Sequence, residues 1–160
     1  MRADARINLI LDEIVRTLSL INGDPLYWLT QPKTVKRWSR NPMAEPMPSI
    51  FVGCKEWGPN EPQTGYQHDG KASIEILCTC MWGEGELDDP ARELHRVVAD
   101  VISALETNWE LKDATDTRVV PALQMHIVGG YEPAVTLGEN GLAQATLEFV
   151  VLWPWVADTP

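Results

Sequence analysis

The sequence predicts a single α+β domain, with a mainly antiparallel or mixed sheet of about five strands packed against two helices. Three observations point there. Two segments repeat apolar residues at three- and four-residue intervals, five others are short apolar or alternating runs, and Pro/Gly-rich stretches separate them. The chain has 160 residues, a length that buries about 68–70% of the surface its unfolded form exposes. One core and one domain, residues 1–160, is the economical reading.

The first helix is expected over residues 3–21, where Ile7, Ile10, Leu11, Ile14, Val15, Leu18 and Ile21 recur on one side and Arg6, Asp12, Glu13 and Arg16 fall on the other. Asn22-Gly23 supplies a stop, and Pro25 prevents continuation. A first strand spans residues 33–39 around Val35 and Trp38, and the Pro-rich stretch 41–48 separates it from the apolar run 49–54. A third strand is expected over 72–82. There Ile74, Ile76, Cys78, Cys80 and Trp82 share one face, and Glu75, Leu77, Thr79 and Met81 share the other.

Asp89 can cap the second helix, Pro90 suits its first position, and Leu94, Val97, Val98, Val101, Ile102 and Leu105 form its stripe over 90–108. Two closing strands follow, at about 117–128 and 142–153, the last with Ala143, Ala145, Leu147, Phe149, Val151 and Trp153 facing the core. Long loops are expected at about 40–49, 56–71 and 129–141.

With 13 Lys and Arg against 23 Asp and Glu, the formal charge is −10, too acidic for a general nucleic-acid binder. A basic stripe, Lys33, Lys36, Arg37 and Arg40, reads as a solvated or edge face. Charges at Arg2, Asp4, Arg6, Asp12 and Glu13 interrupt any signal or membrane-span pattern near the N-terminus, so a cytoplasmic chain with no membrane partner is expected. Three cysteines, Cys54, Cys78 and Cys80, do not form a secreted disulfide framework and are expected reduced.

No pattern of catalytic or cofactor-binding residues stands out. Cys78-Thr-Cys80 lacks the C-x2-C spacing of structural zinc modules and reads as core. The acids Glu84, Glu86, Asp88 and Asp89 precede a helix, where capping and the helix dipole favour them, and they lack a Gly-centred calcium loop. His95 and His126 have no evident nucleophile partner. The expectation is therefore a protein that is not an enzyme, with no cofactor and no metal. Among seven tryptophans, Trp57 falls with Tyr66 and Tyr131 in or beside the long loops, where aromatics can anchor protein interfaces. With His68, Glu132 and Glu139 they form the expected interface set.

From Ile7 to Trp153 the order of elements, including the Pro48-Ser-Ile-Phe-Val52 run, the Ser73–Trp82 strand and the Asp89-Pro90 helix start, resembles the tail terminator and tail-completion proteins of long-tailed bacteriophages, the group that includes the lambda tail terminator. The resemblance implies a small structural virion subunit that forms a hexameric ring, caps the tail tube and joins it to the head-neck connector or stopper protein. Its partners would then be itself, the tail tube protein and that connector. It would bind no specific nucleic-acid sequence, and it would be assembled in the host bacterial cytoplasm. The alternatives are a head-tail neck or stopper subunit and a monomeric acidic protein-binding module. A small metal-dependent hydrolase built on Glu84, Glu86, Asp88, Asp89 and His95 does not meet the requirements for nucleophile, base and oxyanion donors.

Overall fold

Apolar residues at helical spacing give the first element its buried side. In the computed structural model, which describes residues 3–59, 68–82, 89–118, 124–127, 136–137 and 141–155, helix α1 spans Ala3–Leu18 and buries Ile7, Ile10, Leu11, Ile14 and Leu18. It ends earlier than expected. The amides of Leu20 and Ile21 bond three residues back, to Thr17 and Leu18, which tightens the last turn, and Ile21 is buried beyond the helix. Gly23, at φ +76°, takes the left-handed conformation in the following connection.

Helix α2, Pro90–Thr107, follows its expected signals closely. The Asp89 carboxylate accepts from the amides of Ala91 and Arg92, Pro90 occupies the first turn, and Leu94, Val97, Val98, Val101 and Leu105 are buried.

The strands are β1 (Thr34–Arg37), β2 (Ser49–Pro59), β3 (His68–Met81), β4 (Gln124–Ile127), β5 (Thr136–Leu137) and β6 (Leu142–Trp155). Four of them, β1, β2, β3 and β6, build the body of a mixed sheet. The order is β1-β2-β3-β6-β4, with short β5 also on β6. β1 runs parallel to β2, and every other pairing is antiparallel. β3 and β6 pair along their whole lengths, from His68 opposite Trp155 to Met81 opposite Leu142.

Several expected boundaries move. The ends of the loop placed at 56–71 are strand, because β2 runs on to Pro59 through an irregularity between Cys54 and Glu56, and β3 already starts at His68; residues 60–67 lie outside the described residues. Trp82 is not on the core face of β3: it follows the strand, 65% exposed, its amide bonded to the Gly141 carbonyl. Within 117–128 only Gln124–Ile127 is strand among the described residues, and Arg118 instead forms an isolated bridge with Lys112. The loop placed at 40–49 holds a short 3-10 turn, Pro42–Ala44, and the one at 129–141 contains β5.

Both helices cover one face of the sheet. One apolar cluster joins the stripes of α1 and α2 to Ile50 and Val52 of β2, Ala72 to Cys80 at alternate positions of β3, and Ala143 to Trp153 at alternate positions of β6. The opposite face carries Glu75, Gln144, Thr146 and Glu148 at half-buried or exposed positions, and Ser49, Phe51, Ser73 and Thr79 at buried ones. Cys78 and Cys80 are core residues, as their place in an apolar strand face implied. Burial pushes the Cys78 thiol far above its ordinary range, and burial together with the nearby Glu93 raises Cys80 to about 12.

Two acids behave unlike their sequence neighbours. Glu13, expected on the polar side of α1, is buried, and its carboxylate accepts from Arg16, Thr17 and the Asn108 side chain. This network, with Arg16 and Asn108 also donating to the Lys112 carbonyl, ties the end of α1 to the residues after α2. Asp100 of α2, also buried, accepts from the amides of Leu29 and Thr30 at 2.8–3.0 Å and from the Thr30 hydroxyl at 2.7 Å. It thereby fixes the connection between α1 and β1 to the helix layer.

Candidate assembly surface

Of the expected interface residues, the side chain the structure describes is that of Trp57. It lies near the end of β2, opposite Ala72 of β3, and is 45% exposed. His68 is placed by its backbone alone, at the start of β3 opposite Trp155. Tyr66, Tyr131, Glu132 and Glu139 lie outside the described residues, as do Glu84, Glu86 and Asp88. The set expected to act together is therefore represented by Trp57 at the far end of the β2–β3 pair.

A larger group of exposed apolar side chains was not singled out by sequence. Leu26 (82% exposed), Tyr27 (72%) and Leu29 project from the connection between α1 and β1. That connection is ordered by its own bonds: the Asp24 carbonyl accepts from the amides of Tyr27 and Trp28, and the Asp24 side chain from the amide of Leu26. Trp38, just after β1, donates its amide to the Val52 carbonyl at 3.0 Å and lays its indole against Gly53 on the face opposite the helices. A Cβ at position 53 would stand 1.1 Å from the Trp38 Nε1 atom, so glycine is what admits the ring. Leu26 and Tyr27 carried no signal in the sequence, since exposure of an apolar residue leaves no mark in periodicity.

The basic stripe lies along the sheet edge, where β1 is the terminal strand. Lys36 and Arg37 belong to β1, whereas Lys33 and Arg40 flank it. Lys36 pairs with Glu45, and Arg37 reaches back to α1, 2.8 Å from Asn8 Oδ1 and 3.6 Å from Asp12. These contacts tuck the edge under side chains and blunt it against strand addition.

The described surface includes two hollows. One, of about 340 Å³, is formed by residues 43–47 and Met81; methionine gives such a wall adaptable shape. The other, of about 390 Å³, lies past the ends of both helices, between Leu20 and Trp109. Its cations already face acids: Arg16 bonds Glu13, and Lys112 lies 3.1 Å from Glu110 and 3.2 Å from Asp116. Among the described residues no group of three His, Cys, Asp or Glu side chains is placed to hold a metal ion, and no helix is long and apolar enough to cross a membrane. His95 stands exposed on α2, and the Asp89 carboxylate is engaged in capping.

No protein-family model matches the chain, and no curated protein matches it.

Proposed function

We propose that this chain is a structural virion protein, a phage tail terminator whose copies form a ring that caps the tail tube and joins it to the head-neck connector or stopper protein. The observation that carries the reading is the one-sided architecture: two helices on one sheet face, with exposed aromatic and aliphatic side chains around the body. Such a subunit is stiffened by its helix layer and retains surface for neighbours. The order of elements read in the sequence resembles that of the tail terminators. A ring of like subunits needs two different patches on each copy, and this chain has several from which to build them. In the reading, six copies close the ring, Trp57 and residues 60–67 beyond it meet tube or connector, and the role is mechanical and not catalytic. The site of action is the tail and neck of the virion.

The direct test mixes purified protein with tail tubes that lack a terminator and images the tube ends. A ring-shaped cap on one end supports the reading. Capture by portal-side connector with no affinity for tube ends would favour a neck or stopper subunit instead.

A further inference from the structure

We propose that Asn22 is a site of spontaneous modification, at which the Gly23 backbone nitrogen displaces the Asn22 side-chain amide and water completes the conversion to aspartate and isoaspartate. The inference stands apart from the ring reading, and its only co-reactant is water.

The chain has asparagine at 8, 22, 41, 60, 108 and 140, of which Asn60 and Asn140 lie outside the described residues. Three of the others are held back by their surroundings. Asn8 lies within α1, where the helical ladder takes up the following amide. Asn41 precedes Pro42, which has no N–H to give up. Asn108 is bonded at both ends of its side chain: Nδ2 donates to Thr17 and to the Lys112 carbonyl, and Oδ1 accepts from the Lys112 amide.

Asn22 differs in each respect. It is exposed and precedes Gly23, whose amide donates no hydrogen bond among the described residues. Gly23 has no Cβ to shield its nitrogen or restrict the rotation that brings the Asn22 side chain onto it. The Asp24 amide donates to Asn22 Oδ1 at 3.0 Å, which polarises the Cγ carbonyl under attack.

The step balances with no oxidant or reductant. The Gly23 nitrogen loses its proton to hydroxide and bonds to Asn22 Cγ, the Cγ–Nδ2 bond breaks, and the amide nitrogen takes a proton from water and leaves as ammonia. Water then opens the cyclic imide at either carbonyl. One opening gives aspartate, and the other routes the main chain through Cγ as isoaspartate.

The position gives the change a structural consequence. Ile21 is buried on one side, and on the other the Asp24 carbonyl accepts from the amides of Tyr27 and Trp28. Isoaspartate lengthens the main chain between these fixed points by a methylene and sets a new carboxylate beside Asp24. The turn that carries Leu26 and Tyr27 then loosens.

The test incubates the folded parent, the Asn22→Gln variant and the free peptide 17–33 in mildly acid and mildly alkaline buffer, then maps tryptic peptides by mass spectrometry with fragmentation that separates aspartate from isoaspartate. The expected result is loss of the Asn22 amide in the parent, faster in alkali, with both products formed and ammonia released in equal amount. Asn22→Gln keeps its amide, and so do Asn8, Asn41 and Asn108 of the parent. In the converted protein the Tyr27 and Trp28 amides exchange faster while the β3–β6 ladder stays protected. A folded parent that keeps the Asn22 amide while the free peptide converts would overturn the site. Aspartate without isoaspartate would overturn the attack by Gly23, and unchanged Tyr27 and Trp28 protection after conversion would overturn the effect on the turn.

Discussion

The Trp153 indole of β6 lies against Gly70, its cross-strand partner in β3, so closely that a Cβ at position 70 would stand 2.3 Å from the ring. Trp153 is among the largest fully buried side chains, so the ring has little room to yield. Gly70→Ala is therefore expected to overpack this end of the sheet and cost about 1–3 kcal/mol, a fall in melting temperature of roughly 2–12 °C at this size. Gly53→Ala offers the contrast. Trp38 is 46% exposed, so its ring can be displaced toward solvent at lower cost, and that change should alter tryptophan fluorescence more than stability. Equal stability losses in the two variants would contradict the contrast.

Asp100 supplies the acceptors for three donors of the connection before β1. Asp100→Ala leaves those donors unsatisfied and should cost about 2–4 kcal/mol. Thr30→Val, which removes one donor, should cost about 1 kcal/mol. Hydrogen exchange checks the mechanism: the Leu29 and Thr30 amides should lose protection in Asp100→Ala while the β3–β6 ladder keeps its own.

Cysteine ionisation sets an alkaline limit. Burial raises the folded Cys78 and Cys80 thiols above their ordinary value of 9.0, so both stay neutral in the fold where the unfolded chain would ionise them. Stability from these groups is fully present below about pH 9 and falls as pH rises from there toward the Cys80 value of about 12. Replacing both by Ala should flatten that decline in denaturant titrations at pH 8 to 10.5. Thiol labelling should reach half-buried Cys54 first and the other two only on unfolding.

At acid pH the sign reverses for Asp113. Hydrogen bonds from Thr115, then Thr117, hold its carboxyl below the ordinary value of 3.8, so its contribution is present above that value and lost as pH falls through the lowered one. Asp113→Asn should reduce the acid dependence of the turn at 113–117, read from the Thr115 and Thr117 amide shifts. A full-sized shift in the variant would point to another group.

Trp57→Ala is expected to leave the melting temperature within about 3 °C, because the side chain is nearly half exposed. Cap formation on tube ends should drop at the same time. A variant that caps as well as its parent removes Trp57 from the contact.

Much of the fold was legible because periodicity reports burial directly. The α2 stripe, its Asp89 cap and the alternating β6 face each follow from local spacing. What was not legible depended on partners distant in sequence. Glu13 and Asp100 look like any solvated helix acid until Asn108 and Thr30, 95 and 70 residues away, are brought beside them. Gly58, Pro59 and Gly70 read as turn residues, yet pairing with β3 and β6 makes them strand. At the surface, Trp57 was expected beside a loop but lies within β2, opposite Ala72, and Leu26 and Tyr27 emerged only once the Asp24 turn was in place.

The central claim is that copies of this chain close into a ring. Native mass spectrometry across a concentration series, with negative-stain images at the highest concentration, tests it most directly. The account predicts a discrete closed oligomer, six-fold in the images. A strict monomer at every concentration would contradict it and favour an acidic binding module.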